Sequence, residues 1–114
     1  MIELPILNTT YDVFKLVADI IGHTDKRWRY SIGTQLEREV LELLQQLIMA
    51  KNAPKQLKGA YLIRADAHCE VAIIELRLML ELTNANETKL FQAQSHLREI
   101  GRMIGGWLKS LGSV

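Results

Sequence analysis

Only two prolines interrupt this chain, Pro5 and Pro54, and long stretches between and beyond them bring apolar residues back every three or four positions. Proline removes a backbone donor and collides with the preceding helical turn, so proline-free stretches of this period favour helices over strands, whose period is two. Four helical segments follow. The first is expected over about residues 9–23, capped near Thr9 or Thr10 with help from Asp12, with Tyr11, Phe14, Val17, Ala18 and Ile21 on one face and Gly22-His23 closing it. The second, about 27–52, carries Leu36, Val40, Leu43, Leu47 and Ala50 and ends at Ala53-Pro54.

The third segment, about 57–83, is apolar on several sides: Ile63, Ala67, Ile74 and Leu78 form one stripe, and Ala65, Ala72, Leu76 and Met79 extend it. Such breadth predicts two buried faces, from a central position or from contact with another subunit. The fourth, about 87–111, places Leu90, Leu97, Ile104 and Leu111 seven apart, interleaved with Ala93, Ile100 and Trp107, before a capping Gly112. The connections near Thr24-Asp25, Ala53-Pro54 and Asn84-Ala85-Asn86 are short, and short connections make consecutive helices antiparallel neighbours. The expected fold is all-α, an antiparallel up-and-down four-helix bundle.

At 114 residues and 48% hydrophobic the chain has the size and apolar content of one domain, 1–114. Its one cysteine, Cys69, has no intramolecular partner for a disulfide, which fits a cytoplasmic setting. The N-terminus lacks the basic start and apolar run of a signal peptide, and no uncharged apolar stretch reaches about 18 residues, so neither secretion nor membrane spanning is expected. A net charge of +1 does not by itself point to a nucleic-acid binder.

Chemistry-bearing motifs are sparse. His23, His68 and His96 stand far apart, with no cysteine or carboxylate at metal-site spacing, which leaves only a site assembled across helices. Neighbours such as His68 and Cys69 point about 100° apart on a helix. Asp66 and Glu70 lie one turn apart, a spacing usual on solvated faces. Phosphate loops, nucleophile elbows and di-metal Glu-x-x-His pairs do not occur. No catalytic residue, metal or cofactor is expected.

Two anomalies remain. Gly101 and Gly105, with Gly106 beside Trp107, sit inside a helical segment where glycine costs about 1 kcal/mol relative to alanine. A four-residue spacing of glycines clears a strip for close approach of another helix, in the bundle or in an oligomer, with ligand contact as the alternative. The second anomaly is clustered charge. Lys26, Arg27 and Arg29 bracket the first turn, with Lys89 placed to join them; Lys51, Lys55 and Lys58 bracket the second, with Lys109 at that pole. Arg98 and Arg102 stack one turn apart, a like-charged pair that favours a nearby anion. Glu99, Glu75 and Glu42 are the candidates to neutralise this charge, and Trp28 and Tyr30 could stack on bases, pack at a helix start or form an edge contact in an oligomer.

A more specific pattern runs through most of the chain: Glu3-Leu4-Pro5-Ile6 followed by Thr10-Tyr11-Asp12, Gly33 within the second helix, Leu62 through Asp66 in the third, and Glu99-Ile100-Gly101-Arg102-Met103-Ile104-Gly105-Gly106-Trp107-Leu108. In these residues the sequence resembles the accessory variability determinant (Avd) proteins of diversity-generating retroelements. It also resembles the related four-helix-bundle proteins of rRNA intervening sequences. The resemblance implies a homopentameric ring with a basic surface, which binds a partner reverse transcriptase and structured template RNA and has no activity of its own. The near-neutral charge departs from that pattern. If RNA binds, Lys26, Arg27, Arg29, Arg98 and Arg102 are the candidates, by neutralising phosphates rather than reading bases. The rRNA-intervening branch implies instead a structural or protein-interaction module.

Overall fold

The computed structural model describes residues 4–112, and among them the regular structure is helical, without strands. The first helix spans Pro5–Gly22. The second covers residues 26–52 and is built of Lys26–Trp28, a π-helical turn at Arg29–Gly33, and Thr34–Asn52. The third spans Lys55–Leu82 and the fourth Glu87–Ser110. Each helix packs on the next, and the fourth returns to the first, which closes a four-helix bundle measuring 45 × 25 × 20 Å. The long dimension follows from the third helix: at 1.5 Å per residue its 28 residues extend about 42 Å.

The first and third helices start at prolines and the fourth at a side-chain cap. The first helix begins four residues earlier than expected, with Pro5 in its first turn, where a missing N–H costs nothing. Thr9 and Thr10 do not cap it; their hydroxyls donate to the carbonyls of Pro5 and Ile6 one turn back, at 3.0 and 2.7 Å. Asp12 pairs loosely with Lys15 instead. Pro54 precedes the third helix, and Asn86 caps the fourth by accepting from the Lys89 N–H at 3.0 Å. Past the last helix, Gly112 takes a φ of +72°, a conformation glycine adopts without the cost a Cβ imposes.

One apolar face per helix lines the common axis. It consists of Val13, Val17 and Ile20 from the first, Leu36, Val40, Leu43 and Leu47 from the second, Leu62, Ala65, Cys69, Ala72, Leu76 and Met79 from the third, and Leu90, Ala93, Leu97, Ile100 and Ile104 from the fourth. Two expectations are corrected. On the first helix Tyr11 is exposed, because the buried face is centred on Val13 and Ile20. On the third, the stripe of Ile63, Ala67, Ile74 and Leu78 faces outward, since that helix lies between the second and fourth rather than at the centre.

At the π turn the second helix lies against the first. Gly33 is buried there, and a Cβ at its position would lie 3.0 Å from Ile21 Cγ2 and 3.2 Å from the Trp28 carbonyl oxygen. The widened turn is stitched by hydroxyls: Thr34 Oγ1 donates to the Arg29 carbonyl at 3.2 Å and Ser31 Oγ to that of Arg27 at 3.0 Å. Arg29 closes the connection by donating to the carbonyls of Gly22 and Thr24 at 3.2 and 3.1 Å. Replacing Gly33 with alanine is expected to destabilise the protein by about 1 kcal/mol, overpacking outweighing the gain in helix propensity. Gly59→Ala, whose Cβ would meet nothing nearer than Leu108 at 4.0 Å, is expected to raise stability slightly. Urea midpoints of the two variants check the opposite signs.

Candidate interaction surfaces

The basic residues divide into two groups. Lys26 and Arg27 are exposed at the pole where the first helix turns into the second, with the Arg27 guanidinium 4.7 Å from the centre of the Trp28 ring. Arg29, from the same cluster, is half-buried and committed to the turn by its two carbonyl contacts. Lys89 does not add to this patch, because its Nζ lies 2.6 Å from Asp19 Oδ2 and holds the Asp19 carboxyl below the usual carboxylate range. At the opposite pole Lys58 is likewise occupied, donating to the carbonyls of Ala50 and Lys51 at the end of the second helix.

Arg98 and Arg102 form the second group, exposed on the fourth helix. Helical geometry places Arg98, Arg102, Gly105 and Lys109 within an arc of about 60° and a length of about 16 Å. Among the described residues no carboxylate pairs with these three cations. The expected neutralisers lie elsewhere: Glu99 sits 4.0 Å from His96, and Glu42 and Glu75 belong to the seam between the second and third helices. The result is a cationic strip.

The glycines beside it are not used inside the bundle. A Cβ at Gly101 would meet Asp66 Oδ1 and Cys69 Sγ at 4.0 Å, ordinary contact distances, whereas Gly105 and Gly106 are exposed with nothing within 4 Å. The 101/105 pair is therefore not one packing strip between helices of this chain. Trp107 is half-buried, and with Leu4, Pro5, Ile6, Met103 and Ser110 it lines an apolar groove of about 350 Å³ between the first and fourth helices.

Large apolar side chains face outward on the third helix. Ile63 is 63% exposed, Ile74 57% and Leu82 50%, with Val71 and Leu78 between them. By helical geometry these residues occupy an arc of about 100°, roughly opposite the buried face. Leu41 and Ile48 form a shorter outward strip on the second helix. An isolated exposed leucine needs no explanation, whereas apolar residues aligned along one helix face form a patch that does.

The fourth feature joins residues that the sequence separates. His68 Nδ1 lies 2.9 Å from Glu39 Oε2 and 3.5 Å from Glu42 Oε2, across the seam of the second and third helices. Glu75, two turns along the third helix, is pushed up to about 7 by burial and by the charge of Glu39. Cys69, next to His68, turns the other way. Its Sγ donates to the Leu97 carbonyl at 3.0 Å, and burial, with the charges of Asp66 and Glu70, pushes the thiol up to about 12, so it is no nucleophile at neutral pH.

Against this geometry stands the comparison with known proteins. A bAvd-like family model matches residues 4–111, nearly the whole chain. The chain belongs to the bAvd-like family. No curated protein matches it. Family membership makes it an Avd-type accessory protein, and the four-helix bundle is the fold the resemblance implied. Of the residues that carried the resemblance, Glu3 lies outside the described residues, and Gly33 proves to be the close-approach glycine of the π turn. No helix among the described residues is long and apolar enough to cross a membrane.

In this bAvd-like bundle the five proposed phosphate contacts do not form one surface. Lys26 and Arg27 stand at a pole, and Arg98 lies nine residues, about 14 Å, along the fourth helix from Lys89 at that pole. The His68 cluster was not legible in the sequence because His68 lies 26 and 29 residues from Glu42 and Glu39; only the turn at Pro54 brings them together.

Two outcomes follow. Glu75 has a folded pKa above its ordinary 4.5, so the folded state holds an extra proton between about pH 4.5 and 7 and stability falls as pH rises through that window. Melting temperatures at pH 5 and 7.5 are expected to differ less in Glu75→Gln than in the parent protein, with the variant the more stable at pH 7.5. Cys69 is expected to resist alkylation in the native protein and to react fully in denaturant, as followed by mass spectrometry.

Proposed function

We propose that this protein is a non-catalytic accessory subunit of a diversity-generating retroelement. In this reading identical bundles associate into a ring of five, which holds a reverse transcriptase and structured template RNA together during mutagenic cDNA synthesis in the cytoplasm. The observation that carries the proposal is the outward apolar strip of Ile63, Val71, Ile74, Leu78 and Leu82 in a bAvd-like chain. Such a strip is costly to leave in water and is relieved by burial against another copy, which also accounts for a helix apolar on two sides.

The cationic strip supports the RNA side of the reading. Arg98, Arg102 and Lys109 are free of carboxylate partners among the described residues, so each can neutralise a phosphate without first breaking an ion pair. Ring formation repeats the strip five times, so a charge of +1 per chain coexists with a multivalent basic surface. Gly105 and Gly106 keep that face low, which leaves the backbone open to a close partner, whether RNA, polymerase or a neighbouring subunit.

The solution mass of the purified protein is expected to be that of a pentamer, and Ile74→Glu is expected to reduce it to a monomer with unchanged helicity. Affinity for the template RNA is expected to fall steeply with salt. The double variant Arg98→Glu, Arg102→Glu should keep the ring, lower RNA affinity at least tenfold and flatten the salt dependence, by about one counterion for each lost phosphate contact. A wild-type monomer indifferent to RNA would overturn the proposal and favour a protein-interaction module of the rRNA-intervening type.

A further inference from the structure

The polar seam between the second and third helices is over-supplied with negative charge. Glu39 and Glu42 stand three residues apart on the second helix and converge on a single nitrogen, His68 Nδ1. One N–H satisfies one carboxylate well, and at 2.9 Å it serves Glu39; Glu42 at 3.5 Å is left without a short contact. Among the described residues no lysine or arginine pairs with Glu39, Glu42 or Glu75. The Glu39 side chain is only 15% exposed, so water screens it poorly. Glu75 Oε1 and Gln46 Oε1 are both fully buried with no hydrogen-bond partner. Gln46 is one turn from Glu42, and Glu75 feels the charge of Glu39, so the unsatisfied acceptors lie on the same seam as the surplus charge.

We propose that Glu39, Glu42 and His68 form a divalent transition-metal site, suited best to zinc, which ties the second helix to the third. The donor chemistry fits: one imidazole nitrogen and two carboxylate oxygens, with no thiolate, since Cys69 is turned into the core toward Leu97. The spacing fits as well. A tetrahedral ion with arms of about 2.0–2.1 Å has donor-to-donor edges of about 3.4 Å. Here the two nitrogen-to-oxygen edges are 2.9 and 3.5 Å, and all three donor atoms lie within 4.8 Å of one another. These separations bracket the edge a tetrahedral ion needs.

An ion at this point replaces a single shared proton with a charge that both carboxylates contact directly. The donors sit in the interiors of long helices, so the backbone holds them in place before the ion arrives. Three protein ligands leave a fourth position for water. Glu42, 44% exposed, is the solvent-facing donor and marks the side of entry. The site's consequence is structural, a cross-link between the two helices, and it depends on neither ring formation nor RNA binding.

Calorimetric titration of untagged, chelator-stripped protein with zinc tests this, alongside thermal melts. One zinc per chain is expected, with a raised melting temperature and a loss of at least tenfold in affinity in each of His68→Gln and Glu42→Gln. Glu42→Gln alters the exposed donor, and its circular dichroism is expected to match the parent, so its loss of binding reads ligation rather than misfolding. Cobalt is expected to give a visible absorption band that both variants lose. Absence of saturable zinc binding, or binding that persists in either variant, overturns the site.

Discussion

Each helix of this bundle can turn only one side toward the common axis, and that side is chosen by the residues that gain most from leaving water: Leu36, Leu43, Leu47, Leu62, Leu76, Leu90, Leu97 and Ile104. Full burial of such a side chain is worth about 1.5–3 kcal/mol, far more than any surface pair in the molecule. The rotation of every helix follows from this, and with it the position of everything outside the core. At Gly33, in the π turn of the second helix, a Cβ would be crowded by Ile21 and by the Trp28 carbonyl, so a bare backbone packs there most easily.

What the core leaves outside is therefore as determined as what it takes in. With Leu62, Ala65, Cys69, Ala72, Leu76 and Met79 turned inward, the same helix must hold Ile63, Val71, Ile74 and Leu78 out in solvent. With Leu97, Ile100 and Ile104 inward, Arg98 and Arg102 stand outward beside the bare backbone of Gly105 and Gly106. An apolar strip and a cationic strip on one small bundle are the surfaces on which the proposed ring and its RNA contacts rest.

Much of the fold was legible from local rules, and the exceptions have physical causes. The number and order of the helices followed from Pro54, Gly112 and heptad spacing; the second and fourth end within a residue of the expected positions, while the third begins at Lys55, two residues before the expected start. The first helix began too late in the sequence reading because threonine suggests a cap, yet Thr9 and Thr10 had carbonyls of their own to bond once Pro5 had begun the helix. Which side of the third helix is buried could not be read, since apolar residues cover most of its circumference. Ion pairing was the least legible. Lys89 went to Asp19, seventy residues away, and Glu42 and Glu75 went to an internal seam rather than to the arginines.

The sequence by itself determined that the chain is helical, that it turns back on itself three times, and that it carries the Avd pattern, because helix periodicity, proline and glycine act over a few residues. Only the tertiary structure decided which apolar stripe faces water, that Gly105 and Gly106 have no neighbour within the bundle, and that His68 meets Glu39 and Glu42. These are contacts between helices, and a contact between helices depends on how each has rotated about its axis to satisfy the shared core, a quantity that no single segment contains.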